Sequence, residues 1–545
     1  MKNRYVVKAL LAVSLAFALS VRLDARASAA GSFAGVLTYH NDNSRTGQNL
    51  QETILTPARL ASNKFGRLFS VPVDGYIYGQ PLYVPMVDFG AAGVHNVVIA
   101  VTEHDSVYAF DADAAGDPLW HTSFLDPADG ITTVPSADTG ASDIVPEIGI
   151  TSTPVIDPAT MTVYVLSKVK APGPTYIQQL HALDLITGSE RLHSPMTITA
   201  DVPGTGEGGT DLTFKSLRQN NRAALTLVKV GKRATVYADF ASIGDITPYH
   251  GWVLGYDAAS LKQVAAFNDT PNGSAAGIWQ SGCGPAVDSA GRLFVASGNG
   301  TFDINTGGVD YGDSVIALAP NGTGALSVAS FFTPFYQLIL STFDLDLGTG
   351  GSLLLPDQNV GPTHLMLMGG KSGIMYLLNR DHLGGFSSFR DNIVQELVGY
   401  AGPLFSTPTY WNSTVYLAGN DDSVKAFTLF RGKLLSRPAS VSRFKLGYEG
   451  ATTSLSANGN RDGILWLIDN SGYANSNPAI LYALDPTDLS TQLYSSATVP
   501  EDDPGPAVKF TVPTVANGKV YEGTEDQLSV FGLTIPEAPA HDPRD

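Results

Sequence analysis

A simple pattern recurs along the chain. A partly apolar strand followed by a turn of the Asp-x-x-x-Gly kind recurs, and the unit ends at apolar-x-apolar-(Asp/Asn). Residues 277–303 are its clearest unit. Ile278-Trp279-Gln280 leads into the apolar run Pro285-Ala286-Val287, and Asp288-Ser289-Ala290-Gly291 makes the turn. Leu293-Phe294-Val295-Ala296 is the second strand, and it ends in Ser297-Gly298-Asn299-Gly300. Apolar runs bounded by Gly and Asn are a hairpin signal. Eight such endings are found, at 107–111, 180–184, 253–257, 315–319, 375–379, 424–428, 481–485 and 528–532. A repeat of roughly 50 to 70 residues, built from short strands and turns, predicts an all-β propeller of eight four-stranded blades.

The two ends of the repeat complement each other. Residues 65–73, FGRLFSVPV, read as one strand with no hairpin partner before it. The last unit holds three strands, around Val512-Pro513-Thr514-Val515, Lys519-Val520-Tyr521-Glu522 and Leu528-Ser529-Val530-Phe531. The simplest repair is that the strand at 65–73 completes the last blade, which removes the exposed edges of an open ring. Blade one is placed at about 80–124, and later blades start near 150, 225, 277, 353, 405, 451 and 510. Residues 31–65 are polar and turn-rich. Long insertions are expected at 125–148, 200–223 and 323–349, where loops on a rigid scaffold tend to carry function.

Composition refines the picture at both termini. The chain has 545 residues with 56 Gly and 33 Pro, a density of punctuation that suits many short strands. Lys2, Arg4 and Lys8 precede an apolar stretch at 9–21, and Ala27-Ser28-Ala29 forms an A-x-A cleavage site. Residues 1–29 therefore read as a signal peptide, with a secreted or periplasmic mature protein and no membrane span after its removal. The propeller is assigned to 31–535. Residues 536–545, rich in Pro, Ala and charge, read as a disordered tail. The net charge is −18, and losing the basic leader makes the mature chain more acidic still. That argues against nucleic acid as a partner. The single cysteine, Cys283, excludes an intrachain disulfide and reads as a small buried residue.

Several motifs carry no chemistry on their own. Glu103-His104-Asp105 reads as a turn between strands, because neighbouring residues on a strand face opposite sides. Gly204-x-Gly206-x-Gly208-Gly209 precedes no helical pattern and reads as a flexible loop rather than a phosphate cradle.

Eight blades, the Asp-x-x-x-Gly turns and the Trp279 unit resemble the quinoprotein alcohol dehydrogenases. These are eight-bladed propellers that hold pyrroloquinoline quinone beside a calcium ion over the axis. The resemblance implies that Trp279 is the floor beneath the quinone, where an indole offers a planar stacking surface. It implies that Asn299, in Ser-Gly-Asn-Gly, is a calcium ligand, since an amide oxygen suits a hard cation. It implies that Lys371, in Lys371-Ser372-Gly373-Ile374-Met375, bonds the quinone's oxygens. The family's catalytic aspartate lies in an Asp-x-Trp-Asp segment. The matching region here is Phe343-Asp344-Leu345-Asp346-Leu347, without the Trp, which leaves the base at Asp344 or Asp346. Other departures are the missing adjacent cysteine pair, the missing calcium-binding glutamate (Leu166-Ser167-Lys168-Val169 stands in that stretch) and the missing CxxCH haem motif. The implied activity is quinone- and calcium-dependent oxidation of an alcohol or sugar bound at the axis. The alternative is a non-catalytic propeller that binds a small-molecule or carbohydrate ligand, or organises an assembly.

Overall fold

The computed structural model describes residues 33–534 apart from 63 and 174. The signal peptide and the tail expected at the two ends lie outside these residues. The chain folds as an eight-bladed β-propeller with four strands per blade. The first strands of blades one to eight are Leu82–Asp88, Val155–Asp157, Thr226–Val230, Ala286–Val287, Leu353–Leu354, Thr409–Trp411, Ser454–Asn458 and Thr514–Ala516. In each blade the next two strands pair antiparallel outward from the first. The apolar-x-apolar endings read from the sequence are the third strands, for example Ser106–Asp111 and Met375–Asn379.

Closure is as expected. Phe65–Pro72 pairs antiparallel with Gln527–Leu533 and becomes the fourth strand of blade eight. Its Phe65 ring sits against Trp466, Tyr494 and Phe531, with centroids 5.3, 4.8 and 6.4 Å away. The closing strand is thus fastened by aromatic packing between blades seven and eight. The rest of the core repeats this arrangement. Alternating side chains of adjacent blades meet face to face, as where Tyr164, Leu180 and Ala182 of blade two pack on Val236, Phe240, Trp252 and Leu254 of blade three.

Two insertions differ from the sequence reading. Residues 200–223 contain a small hairpin, Asp201–Pro203 with Asp211–Thr213, so the Gly-rich run is its turn. Within 323–349, Leu326–Phe332 is the fourth strand of blade four. The true insertion is shorter and carries a single helical turn and a half, Gln337–Thr342. A strand of alternating exposed residues between two glycine-bearing turns reads locally like a loop.

The segment 36–49, read only as polar and turn-rich, crosses the axis and touches every blade in order. Val36 bridges to Tyr83 of blade one, and Leu37 O accepts from Ile156 N of blade two. Asn43 donates its amide to Leu227 O of blade three, and its own carbonyl accepts from Val287 N of blade four. Ser44 O, Thr46 O and Gly47 O accept from Leu354 N, Tyr410 N and Leu455 N of blades five, six and seven. Asn49 donates to Val515 O of blade eight. The inner edge of each first strand carries unpaired backbone groups, and this segment satisfies them.

Arg45 holds the segment's bend. It is fully buried, and it donates from Nε to Pro285 O, from Nη1 to Thr38 Oγ1 and Tyr39 O, and from Nη2 to Thr226 Oγ1, at 2.7–2.9 Å. His40, Asn41 and Arg45 all take positive φ, at 55°, 72° and 61°. Such backbone persists where surrounding contacts over-determine it. Gly47, at φ 68°, passes so close to His40 that a Cβ there would lie 2.3 Å from its Nε2.

Two stability predictions follow from these buried charges. Arg45→Ala leaves four oxygens without their donor and should cost at least about 3 kcal/mol in urea unfolding, because buried acceptors left unsatisfied each cost about 1–3 kcal/mol. Glu522, on the second strand of blade eight, is fully buried and neither of its oxygens has a partner. Desolvation, with Asp503 adding to it, raises its carboxyl from 4.5 to about 8. The folded state therefore binds a proton that the unfolded state has lost, and stability falls as pH rises through that window. Glu522→Gln should raise the urea midpoint at pH 8 and leave it nearly unchanged at pH 5; an equal shift at both would contradict this account.

Candidate functional site

Above the crossing segment the axis opens into a cavity of about 180 Å³. Its walls come from residues that shortly precede the first strands of blades three to eight. They include Arg222, Trp279, Ser281, Phe405, Tyr448, Lys509 and Phe510, with Asp346 and Thr349 from the loop before blade five; Lys371 joins them from the turn between the second and third strands of blade five. The floor is one layer deeper. Tyr39 of the crossing segment packs with Ala224, Cys283 and Val512, and its hydroxyl bonds Cys283 Sγ at 3.2 Å and meets Thr407 Oγ1 at 3.1 Å. Cys283 is wholly buried, and burial pushes its thiol pKa up, which suits a packing role.

Trp279 is brought to the cavity by a tight turn. Gln280 and Ser281 both take left-handed backbone, at φ 43° and 47°. The indole is half-buried and lines the cavity. Lys371, from blade five, lines the same cavity and forms ion pairs with Asp346 Oδ2 at 2.6 Å and Asp344 Oδ1 at 2.8 Å. Asn299 lies behind them. Its backbone N–H donates to Asp346 Oδ1 at 2.6 Å and its side-chain amide to Asp344 Oδ1 at 2.9 Å. Four residues picked out from the sequence thus form one connected cluster, and Trp279 lines the cavity beside it, all drawn from blades four and five and the loop between them.

The two aspartates differ. Asp346 is buried and on the cavity wall, whereas Asp344 is exposed, with φ 54°. Burial raises the Asp346 carboxyl, with Lys371 and the Asn299 N–H opposing. Lys371 is pushed up, the carboxylates outweighing its desolvation. Behind Asp346 lies Asp313, wholly buried, whose carboxyl is raised to about 8 by desolvation and by Asp346. Lys168, in the stretch where the glutamate is missing, turns away from the cavity and donates to Leu217 O and Gln219 O.

Three side chains of this cluster, Asn299, Asp344 and Asp346, carry oxygens that suit a hard cation, although Lys371 and the Asn299 N–H groups already engage both carboxylates. Asn299 Oδ1 is buried with no hydrogen-bond partner, the kind of orphaned acceptor that a cation explains. Among the described residues no group of three or more His, Cys, Asp or Glu side chains is placed to hold a metal, so the set is lean. A planar anion finds the Trp279 indole and the Lys371 ammonium, and the same cavity also holds Arg222, Lys509 and the aromatic rings of Phe405, Tyr448 and Phe510.

Sequence reasoning missed Arg222, Asp143, Asp245, Lys509 and the three aromatic residues. Each is isolated in the sequence. For Arg222, Lys509 and the aromatic residues position was the available signal, since the residues just ahead of a first strand face the axis; Asp143 and Asp245 lie in other loops and carried no such signal.

The eight-bladed ring is a fold that this chain shares with solved quinoprotein dehydrogenases. The quinohemoprotein alcohol dehydrogenase ADHIIG of Pseudomonas putida HK5 is similar over 94% of this chain and 82% of its own, with TM-score 0.59 and 12% identity. A europium-containing methanol dehydrogenase is similar over 92% of this chain and 99% of its own, with TM-score 0.56 and 12% identity. At such identity the likeness is one of fold. No protein-family model and no curated protein sequence matches the chain.

The ion pair makes a local prediction. Lys371→Met removes a group that opposes the raising of the Asp346 carboxyl, so Asp346 should titrate at higher pH. The pH profile of tryptophan emission, with Trp279→Phe as the blank, should shift upward; an unchanged profile would mean that Asp346 and Lys371 are not coupled in solution.

Proposed function

We propose that the protein is an exported oxidoreductase that binds pyrroloquinoline quinone in the axial cavity and oxidises an alcohol or sugar. The observation that carries this reading is the convergence of Trp279, Lys371 and Asp346 on one cavity, with Asn299 beside them. Local sequence does not require them to meet. The basic and apolar leader supports export, and no helix among the described residues is long and apolar enough to cross a membrane.

Each residue then has a defined task. Trp279 offers its face to a flat ring. Lys371 directs positive charge at the ligand's carbonyl or carboxylate oxygens. Asp346, whose carboxyl is raised by burial and held by the Asn299 N–H, accepts the hydroxyl proton of the substrate. Phe405, Tyr448 and Phe510 exclude water from the reacting atoms. The quinone, when bound, supplies the two-electron acceptor. Asn299, whose amide oxygen has no partner, would hold the calcium ion together with Asp344, and the ion's positive charge would polarise a quinone carbonyl.

The test is reconstitution. The mature protein incubated with pyrroloquinoline quinone and calcium should acquire the quinone's absorption and reduce a dye when an alcohol or sugar is added. Asp346→Asn should keep the absorption and lower the rate by about 10²–10⁴-fold, the usual contribution of a general base. Protein that takes up no quinone would place the fold among non-catalytic binding propellers instead.

A further inference from the structure

Arg222 is a buried charge on the axis whose donors are not used. It precedes the first strand of blade three, yet its guanidinium lies 4.1 Å from the ring centroid of Phe510, which precedes the first strand of blade eight. Tyr78 approaches it at 5.9 Å. The side chain therefore reaches across the axis. It is 5% exposed and lines the cavity, and its Nε and Nη2 have no hydrogen-bond partner. A buried donor without a partner is costly, and in a folded protein it calls for an explanation.

The position of the two free donors narrows the answer. Nε and Nη2 lie along one edge of the guanidinium plane, the fork that meets the two oxygens of a carboxylate. The acids of the cavity are engaged elsewhere. Asp346 is paired with Lys371 at 2.6 Å. Asp143 accepts from Gly244 N at 2.7 Å, and Asp245 accepts from Ser242 Oγ at 3.2 Å and Tyr249 OH at 2.9 Å. Two buried acids face Arg222 without hydrogen-bonding its Nε–Nη2 edge: Glu449, raised by burial with Arg222 opposing, and Glu103, whose Oε2 accepts from Gly149 N and Thr151 Oγ1. Lys509 adds a second basic group, lowered to about 8 by burial and by the Arg222 charge. It lines the same cavity, with Nζ 5.9 Å from the Phe510 centroid and 5.3 Å from that of Tyr473.

We propose that Arg222, with Lys509 beside it, binds a carboxylate of the substrate, so that the alcohol oxidised at this axis is a hydroxy acid or a sugar acid. The oxidation rests on the function proposed above; the carboxylate site does not. In the reaction the carbinol group loses two electrons and two protons and becomes a carbonyl, with the quinone as acceptor. The carboxylate is a handle and is unchanged. Lys371 and Trp279 serve the quinone, and Arg222 serves the acid.

Calorimetric titration of the mature protein, with and without quinone and calcium, tests this. The probes are glycerate and gluconate, with glycerol and glucose as neutral partners. The acids should bind in both forms and the neutral compounds should not. Arg222→Gln should weaken the acids by about ten- to a hundred-fold, the range for a charge-assisted hydrogen bond. Arg222→Lys, which keeps charge but loses the fork, should weaken them less, and Lys509→Gln should also weaken them. Quinone uptake should be essentially unchanged in all three. The proposal is overturned if the neutral compounds bind as tightly as the acids, or if Arg222→Gln binds the acids like the wild type. It is also overturned if quinone uptake falls with Arg222→Gln as steeply as acid binding does, because the guanidinium then belongs to the cofactor. Acids that bind through Arg222 to a protein that takes up no quinone would sink the oxidoreductase reading and keep the carboxylate site.

Discussion

The constraint on which this molecule turns is the hydrogen bonding of eight inner strand edges. A propeller points the free edge of every first strand at its own axis. Those N–H and C=O groups are unpaired by the blades themselves and are sheltered from water. One short segment, 36–49, meets all eight in sequence order, bonding blade after blade as it turns around the axis. Its tight path explains the three positive φ values and the glycine at 47, because an extended strand would reach only a few blades. Arg45 is the internal staple that ties this turn to blades three and four.

The same segment prepares the site. By filling the axis up to Tyr39 it gives the cavity a floor, and what remains above is a shallow mouth. Side chains just ahead of the first strands converge there from blades that are far apart in sequence. Arg222 and Phe510 meet although 288 residues separate their numbers. The floor is also dry. Tyr39, Cys283, Ala224 and Val512 are all buried, so charges in the layer above interact through protein more than through water. That is why burial dominates the raised carboxyl of Asp346 and why Lys371 stays protonated beside it.

Much of the scaffold was legible because it is local and repeated. A third strand is a short apolar run that ends at a turn, and eight of them announce eight blades. The closing strand was legible as a deficit at one end and a surplus at the other. Trp279, Asn299, Asp346 and Lys371 were legible through their order and their blade context. The crossing segment was not, because its job is to satisfy partners spread over the whole chain, and such a job leaves no periodicity. Arg222 was hidden for the same reason. In sequence it is one arginine between Asn221 and Ala223, and only the closed ring sets it against Phe510. The strand at Leu326–Phe332 was missed because its exposed alternate residues look like those of a polar loop.

The charge balance shows how such a mouth has to work. The chain carries a net charge of −18, which repels anions at a distance. At physiological salt that repulsion is screened beyond roughly 8 Å, so an anionic ligand is rejected or accepted mainly by what it meets at contact. At contact it meets Arg222, Lys371 and Lys509 over aromatic faces. Lys371 is neutralised by two aspartates, and its charge is available only to a ligand that competes with them. Arg222 has no such partner on its Nε–Nη2 edge. An incoming carboxylate therefore gains most at Arg222 and least at Lys371. That difference would orient an acid across the cavity, with its charged end at Arg222 and its hydroxyl toward Asp346.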